Sequence, residues 1–491
     1  MRLSCLLAAP CARWMAASAA ALVLAACGGG SSDSGPAAAP ELKLTFSAPQ
    51  VNAGDNVTLN WSATNAASCA ASGSWSGAQP TSGSLTFMPS AAGAFAYHLD
   101  CTGSGGTAGA DATLAVVTAA APVPPIPTPA AGGTNVMAVT VERGPTGTSF
   151  NMPFVSVTVC SPGTSTCRTV DRILLDTGST GLRIMSSALG PASDFPQVLN
   201  AASQPVAECA QFASGYAWGS VRRADVRLGG ESAARLPIQV IGDSTAPLGA
   251  TPLSCSNTGA NLGTVAALGA NGILGVSLQS QDCGTACLGS SAPRIYYGCT
   301  STACVATAVP LDAQLTNPVT AFATDNNGLA LTLPPVPIGG ASTLSGTLTF
   351  GIGTQANNQP GALNIYPTNS RGEFTTIYKG ISYTSSFIDS GSNGLFFDDS
   401  SLPVCGQFYC PPTPLSLTAT NVSPNGAAAL VNFTLDNART LTGNIAAHNV
   451  GGTLGLTSTF DWGLPFFFGR TVFLAISGAQ TPSGAGPYWA Y

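Results

Sequence analysis

The sequence predicts an all-β protein, with a small sandwich-like module followed by a larger domain of two similar halves. Three observations carry that prediction. Short alternating apolar runs are punctuated by Gly (57) and Pro (36), while only 8% of the 491 residues are charged, and long helical heptads are absent. One loop motif with matching apolar flanks occurs twice, at 173–184 (ILLDTGSTGLRI) and 387–397 (FIDSGSNGLFF). A Pro-rich run at 118–134 (TAAAPVPPIPTPAAGGT) separates this repeated region from what precedes it, as a semi-rigid extended linker does.

At the start of the chain, Arg2 and Arg13 precede an apolar run at 15–26 that is too short to span a membrane and be retained. Residues 1–27 therefore read as a targeting signal. The run ends in LAAC (24–27), which resembles a bacterial lipobox. That resemblance implies that Cys27 is the mature N-terminus and carries a lipid, so that the protein sits on a membrane of the bacterial cell envelope. Gly28 follows Cys27 in place of Asp, which under the same resemblance favours the outer membrane over the inner. Residues 28–40 (GGGSSDSGPAAAP) form a flexible tether.

Residues 41–117 form the small module. The segments 57–61 (VTLNW) and 97–101 (YHLDC) alternate like half-buried strands, and their spacing suggests a small β-sandwich. The module resembles bacterial immunoglobulin-like modules. Cys69 and Cys101 fit an internal disulfide, although Trp61 precedes both, so the antibody-type Cys…Trp…Cys order is not met. A spacer role is expected, with His98 a strand residue and not a ligand.

Residues 135–491 hold the repeated motif, with one lobe at about 135–315 and a second at about 316–491. In each copy an apolar run stops at Asp, turns through Thr or Ser, Gly, Ser, one polar residue and Gly, and returns to an apolar run. This reads as a buried strand turning sharply at a carboxylate. Gly178 and Gly391 let the backbone pass where a Cβ would clash. Two such loops face to face would pair Asp176 with Asp389. Like charges a few ångströms apart do not both ionise cheaply, so one proton is shared, leaving one acid and one base. That is the equipment for activating a water against an amide carbonyl.

The two stretches resemble the paired Asp-Thr/Ser-Gly-Ser/Thr motifs of pepsin-like aspartic proteases. Further segments follow in the same order. The segment 212–220 (FASGYAWGS), with 226–230 (VRLGG), resembles the family's flap, including Phe212, Gly215, Tyr216 and Trp218. The segment 271–276 (NGILGV) resembles the apolar-apolar-Gly strand that crosses beneath the catalytic loop, and 462–468 (WGLPFFF) is its counterpart in the second lobe. The resemblance implies a bilobal pepsin-like double-psi β-barrel domain acting as a monomer on a polypeptide substrate, with no cofactor and no metal. By position, Asp176 and Asp389 would hold the attacking water, Thr177 and Ser390 would cross-brace the loops, and Ser179 and Ser392 would bond the outer carboxylate oxygens. Two departures stand out. The flap tyrosine falls on Phe212, and the tryptophan that pairs with it falls on Arg183. Only Arg143 is basic between 118 and 150, so a pepsinogen-like basic pro-segment is not expected.

Of fifteen cysteines, Cys5, Cys11 and Cys27 belong to the signal, leaving an even twelve, which fits disulfides in an oxidising compartment. Cys160 and Cys167 flank a turn, Cys405 and Cys410 close a small loop, and Cys209 can reach Cys255. Cys283, Cys287, Cys299 and Cys304 crowd together with no histidine near them, which reads as disulfides and not metal ligands, their connectivity open. A net charge of −6 with only Lys43 and Lys379 as lysines opposes nucleic-acid binding. His98 and His448 are the only histidines, which excludes a Ser-His-Asp triad built on a nearby motif and opposes a zinc site. The expected activity is a lipid-anchored aspartic endopeptidase. Two other readings fit the same residues: a catalytically silent surface lipoprotein on this fold, or an adhesin-like carbohydrate or protein binder that works through residues 41–117.

Overall fold

A computed structural model describes residues 37–117, apart from 55 and 92, and residues 133–491. The signal, Cys27, most of the tether and nearly all of the Pro-rich run lie outside the described residues. The chain divides into two compact units, Met1–Pro122 and Val123–Tyr491. The all-β prediction holds, because the helices among the described residues are single turns of three or four residues. None of them is long and apolar enough to cross a membrane.

The first unit is a two-sheet sandwich. Glu41–Phe46, Val57–Thr64 and Ser82–Phe87 form one sheet. Gln50–Asn52, Gly106–Val117, Gly93–Gly103, Ser68–Gly73 and Gly77–Gln79 form the other, in that order. Period-two alternation sends Val57, Leu59 and Trp61 inward from the first sheet against Tyr97, Leu99 and Leu114 of the second. Cys69 and Cys101 are directly opposite on neighbouring strands, and their disulfide lies within one sheet. An antibody-type bridge would instead tie the two sheets together. His98 sits on a strand and bonds Asp111 at 2.6 Å.

In the second unit the strands that place the site are β1 (Pro153–Cys160), β2 (Cys167–Asp176), β3 (Thr180–Met185), β4 (Val206–Phe212), β5 (Gly215–Leu228), β6 (Glu231–Ile241), β7 (Gly272–Val276), β8 (Ile381–Ile388), β9 (Leu395–Phe396) and β10 (Asp461–Trp462). β7 lies between the two legs of the first loop. It pairs parallel with β2, setting Asp176 opposite Gly275, and antiparallel with β3, setting Gly181 opposite Gly275. The second half repeats the plan. β10 pairs parallel with β8 and antiparallel with β9, so it too lies between the legs of its loop. A sheet of fifteen strands runs from the first half through a platform shared by both, in which Val136–Val141 pairs with Leu344–Phe350. That platform ties the lobes together through backbone hydrogen bonds, and a single apolar core runs through both halves.

Glycine is required at the two crossings. A Cβ on Gly275 would stand 2.7 Å from Thr180 N, and one on Gly463 would stand 2.1 Å from Gly394 O. The second crossing departs from the expected strand at 462–468, since only Asp461–Trp462 is strand and Leu464–Phe467 is a 3-10 turn. Pro465 removes a backbone donor, and the following residues bury their rings individually without continuing a ladder. Phe460 and Trp462 stack at 4.2 Å, and Phe460 stacks on Phe397 at 4.6 Å, which anchors β10.

Six disulfides close among the described residues: Cys69–Cys101, Cys160–Cys167, Cys209–Cys255, Cys283–Cys287, Cys299–Cys304 and Cys405–Cys410. The crowded four pair locally, each with its nearer neighbour in sequence.

Because the obstruction at Gly275 is backbone and not a flexible side-chain tip, Gly275→Ala is expected to destabilise the second unit by about 1–3 kcal/mol, the usual range for overpacking. Denaturant unfolding of the full chain measures it. An unchanged midpoint would mean that β7 does not run beneath the loop as described.

Candidate active site

β2 and β8 each end at an aspartate, and in each case the loop that follows wraps back onto it. The N–H of Gly178 donates to Asp176 Oδ1 at 2.8 Å, and Ser179 Oγ donates to Asp176 Oδ2 at 2.5 Å. In the second loop the N–H of Gly391 donates to Asp389 Oδ1 at 2.7 Å, and Ser392 Oγ donates to Asp389 Oδ2 at 2.8 Å. The same positions supply the same bonds in both halves. Each carboxylate therefore has its orientation set by one backbone and one side-chain donor.

The loops are tied to each other. The N–H of Thr177 donates to Ser390 Oγ at 3.0 Å, and the N–H of Ser390 donates to Thr177 Oγ1 at 2.9 Å. The Ser390 hydroxyl donates onward to Leu175 O at 2.8 Å, and the Thr177 hydroxyl to Ile388 O at 3.4 Å. Each hydroxyl accepts and donates across the gap, as a single O–H can. The two carboxyls are brought together, each lying against the motif glycine of the opposite loop. The motif glycines make this approach possible, since a Cβ on Gly178 would lie 2.6 Å from Asp389 Oδ1 and one on Gly391 2.7 Å from Asp176 Oδ1.

Burial holds Asp389 well above the usual carboxylate range, and the nearby charges of Asp176 and Asp461 push it further. That titration belongs to the pair and not to one residue. A cleft of about 580 Å³ opens over both aspartates.

Phe212 and Ala213, at the tip of the β4–β5 hairpin, line the cleft beside Asp176. The other three flap candidates do not. Gly215 pairs with Phe212 in the hairpin. Tyr216 and Trp218 are not among the residues lining the cleft and pack in a cluster with Cys209, Cys255 and Tyr297. Phe212 and Arg183 meet: the Arg183 guanidinium lies 5.8 Å from the Phe212 ring centroid, a cation–π contact. Arg183 is buried. Its Nη2 bonds Glu208 Oε1 at 2.5 Å and lies 3.9 Å from Asp282 Oδ2, and its Nη1 donates to Thr180 O at 2.9 Å. Tyr296 donates to Asp282 Oδ1 at 2.6 Å. Burial and the neighbouring Glu208 carboxylate hold Asp282 well above the usual range.

Three acidic residues were missed at the level of sequence: Glu208, Asp282 and Asp461. Asp461 carried a signal in the segment Phe460-Asp461-Trp462, where strand alternation sends both rings one way and the carboxyl the other, toward the loop. It is 3% exposed and its Oδ1 has no protein partner. Burial pushes it up to about 8, against the pull of the Ser392 hydroxyl and with the Asp176 charge adding to the rise.

Comparison with known proteins places the large unit. Residues 131–491 match the family described as "Protein of unknown function (DUF3443)". The chain belongs to that family. No curated protein matches the chain. Among solved structures, the aspartic proteinase from Irpex lacteus is similar at 16% identity, over 72% of this chain and 96% of that one, with a TM-score of 0.39. The architecture given for this family member rests on its own strand pairings and not on that likeness.

Asp461 makes stability depend on pH. Folded, it keeps its proton up to about pH 8; unfolded, it loses it near the ordinary value of about 4. Between those values the folded chain binds the extra proton, so stability falls as pH rises. The thermal midpoint of the full chain is expected to drop from pH 5 to pH 8, and Asp461→Asn to flatten that drop. Parallel curves for wild type and variant would show that Asp461 ionises normally.

Proposed function

We propose that the chain is an aspartic endopeptidase that hydrolyses peptide bonds in polypeptide substrates, held on the bacterial cell envelope by a lipid on Cys27. The observation that carries the enzymatic reading is the matched pair of aspartates, bonded alike in both loops and cross-braced by Thr177 and Ser390. In the working form the pair holds one proton and one negative charge. Asp389 keeps the proton and Asp176 is the base. Asp176 takes a proton from the water while the water oxygen bonds to the carbonyl carbon, the C=O π pair moves to the carbonyl oxygen, and Asp389 gives its proton to that oxygen. The proton held by Asp176 then passes to the amide nitrogen as the C–N bond breaks, and the proton on the tetrahedral oxygen returns to Asp389. Ser179 and Ser392 keep the two carboxyls in plane without taking a proton, and Phe212 covers the cleft from the hairpin tip.

The lipid anchor rests on the run 15–26 ending at Cys27, and outer-membrane placement on Gly28. Residues 41–117 serve as a spacer between anchor and enzyme.

The assay uses unfolded protein substrates between about pH 3 and 7, the span of carboxyl pKa values with their usual upward shifts. Asp176→Asn and Asp389→Asn are each expected to lower kcat by about 10²–10⁴-fold, as loss of a positioned acid or base does. The double variant should be little worse, since the two act as a unit. A statine-type inhibitor, whose hydroxyl replaces the attacking water, should block cleavage. Cleavage that survives both substitutions would rule this chemistry out, and a folded wild type that cleaves nothing would favour the silent surface protein.

For the anchor, Cys27→Ser is expected to abolish lipid labelling and release the chain from the membrane fraction. Unchanged membrane association would show that another segment holds it.

A further inference from the structure

One buried carboxyl beside the dyad has no part in the reaction above. Asp461 lies on β10, which runs between the legs of the second loop. Its ring neighbours Phe460 and Trp462 stack into the core on the other face, so their packing fixes where the Asp461 carboxyl points. β10 leads straight into a bond with Ser392, whose carbonyl accepts from the N–H of Leu464 at 2.8 Å, so Asp461 and the Ser392 hydroxyl are neighbours while that hydroxyl bonds Asp389. A serine has a single proton to give. At 2.8 Å from Asp389 Oδ2, that proton is committed to the dyad. Asp461 then has no donor directed at it, and its Oδ1 is buried without a partner. The charged groups that act on it are Asp176 and Asp389, both acidic. No lysine, arginine or histidine forms an ion pair with it among the described residues. An ionised Asp461 would be a third negative charge in this space with nothing to offset it. A neutral one has an O–H to donate, and the neighbouring Ser392 oxygen can accept it.

We propose that Asp461 is a positioning residue for the dyad: a neutral carboxyl that donates to Ser392 and so aims the Ser392 hydroxyl at the outer oxygen of Asp389. The inference rests on the endopeptidase reading for its effect on rate, but not for the hydrogen bond itself. The chain runs in one direction, from Asp461 O–H to Ser392 Oγ–H to Asp389 Oδ2. Successive donors polarise one another, so Asp389 receives a stronger bond than an isolated serine would give. The first lobe has no equivalent: its crossing strand is Gly272–Val276, with no acidic residue on it. The two halves of the dyad are therefore supported unequally, and the added support falls on the carboxyl that keeps the shared proton.

The test uses the full chain with Asp461→Asn, Asp461→Leu, Ser392→Ala and the double variant Ser392→Ala/Asp461→Leu. Asparagine keeps a donor for Ser392 and cannot ionise, so Asp461→Asn should keep kcat within about threefold, well short of the loss of a hydrogen bond. Asp461→Leu should lose about tenfold in kcat with KM unchanged, the size of one hydrogen bond to a charged group. Its alkaline limb should move to higher pH, because Asp389 loses support for its ionised form. The double variant should be no worse than Ser392→Ala, since both act along one chain. A folded Asp461→Leu with wild-type kcat and pH profile, or additive losses in the double variant, would overturn the proposal. So would Asp461→Asn as impaired as Asp461→Leu. Carboxyl carbon NMR decides the hydrogen bond without any substrate. Asp461 should be protonated at pH 6, and its signal should move on Ser392→Ala. An ionised Asp461 at that pH, or an unmoved signal, overturns the proposal even if peptides are cleaved. A wild type that cleaves nothing overturns the endopeptidase reading instead.

Discussion

The exchange of hydrogen bonds between Thr177 and Ser390 is the constraint on which the rest of the large unit depends. Two carboxyls do not crowd together in a buried space unless something holds them there. Here each loop's hydroxyl accepts the other loop's backbone N–H and passes its own proton to a backbone carbonyl across the gap. No polar group of the four is left unpaired, so separating the loops would strand buried donors and acceptors together. The shared platform, in which Val136–Val141 from the first half pairs with Leu344–Phe350 from the second, keeps the halves at the spacing the cross-brace requires. The crossing strands below it keep each loop from collapsing inward, and both work only because Gly275 and Gly463 lack a Cβ.

Charge is scarce in this chain, and six charged side chains gather in or beside the cleft. Asp176, Asp389, Asp461, Arg183, Glu208 and Asp282 all lie in or beside it, while only 8% of the sequence is charged. Arg371 and Glu373 also line the cleft, but among the six named groups five carboxyls accompany one guanidinium, and burial of like charges favours their protonated forms. The upward shifts of Asp389, Asp461 and Asp282 share that cause: burial first, then like charge.

In the hairpin beside the cleft a phenylalanine ring faces an arginine. Phe212 has no hydroxyl to donate but offers a π-face to a cation. The cation in turn requires Glu208 beneath it. Three residues are therefore tied together from strand β4 through the hairpin tip to β3.

The sequence by itself determined the all-β class, the two halves and the two aspartate loops, because these are written as local patterns: period-two apolar runs, Asp followed by Gly at a turn, and the repeat of both. It also pointed to local cysteine pairs such as Cys160–Cys167, where a short loop leaves few choices. Tertiary structure alone decided what long-range pairing controls. No local pattern says that Arg183 and Phe212 meet, that Tyr216 and Trp218 pack with Cys255 and Tyr297, or that Glu208 and Asp282 share one cation. The register of β4 against β5 and of β3 against β7 sets those contacts, and a shift of one residue would send every side chain to the other face. Asp461 lies between the two cases. Its alternation with Phe460 and Trp462 was legible in the sequence, but only the pairing of β10 between β8 and β9 brings its carboxyl to Ser392 and the dyad.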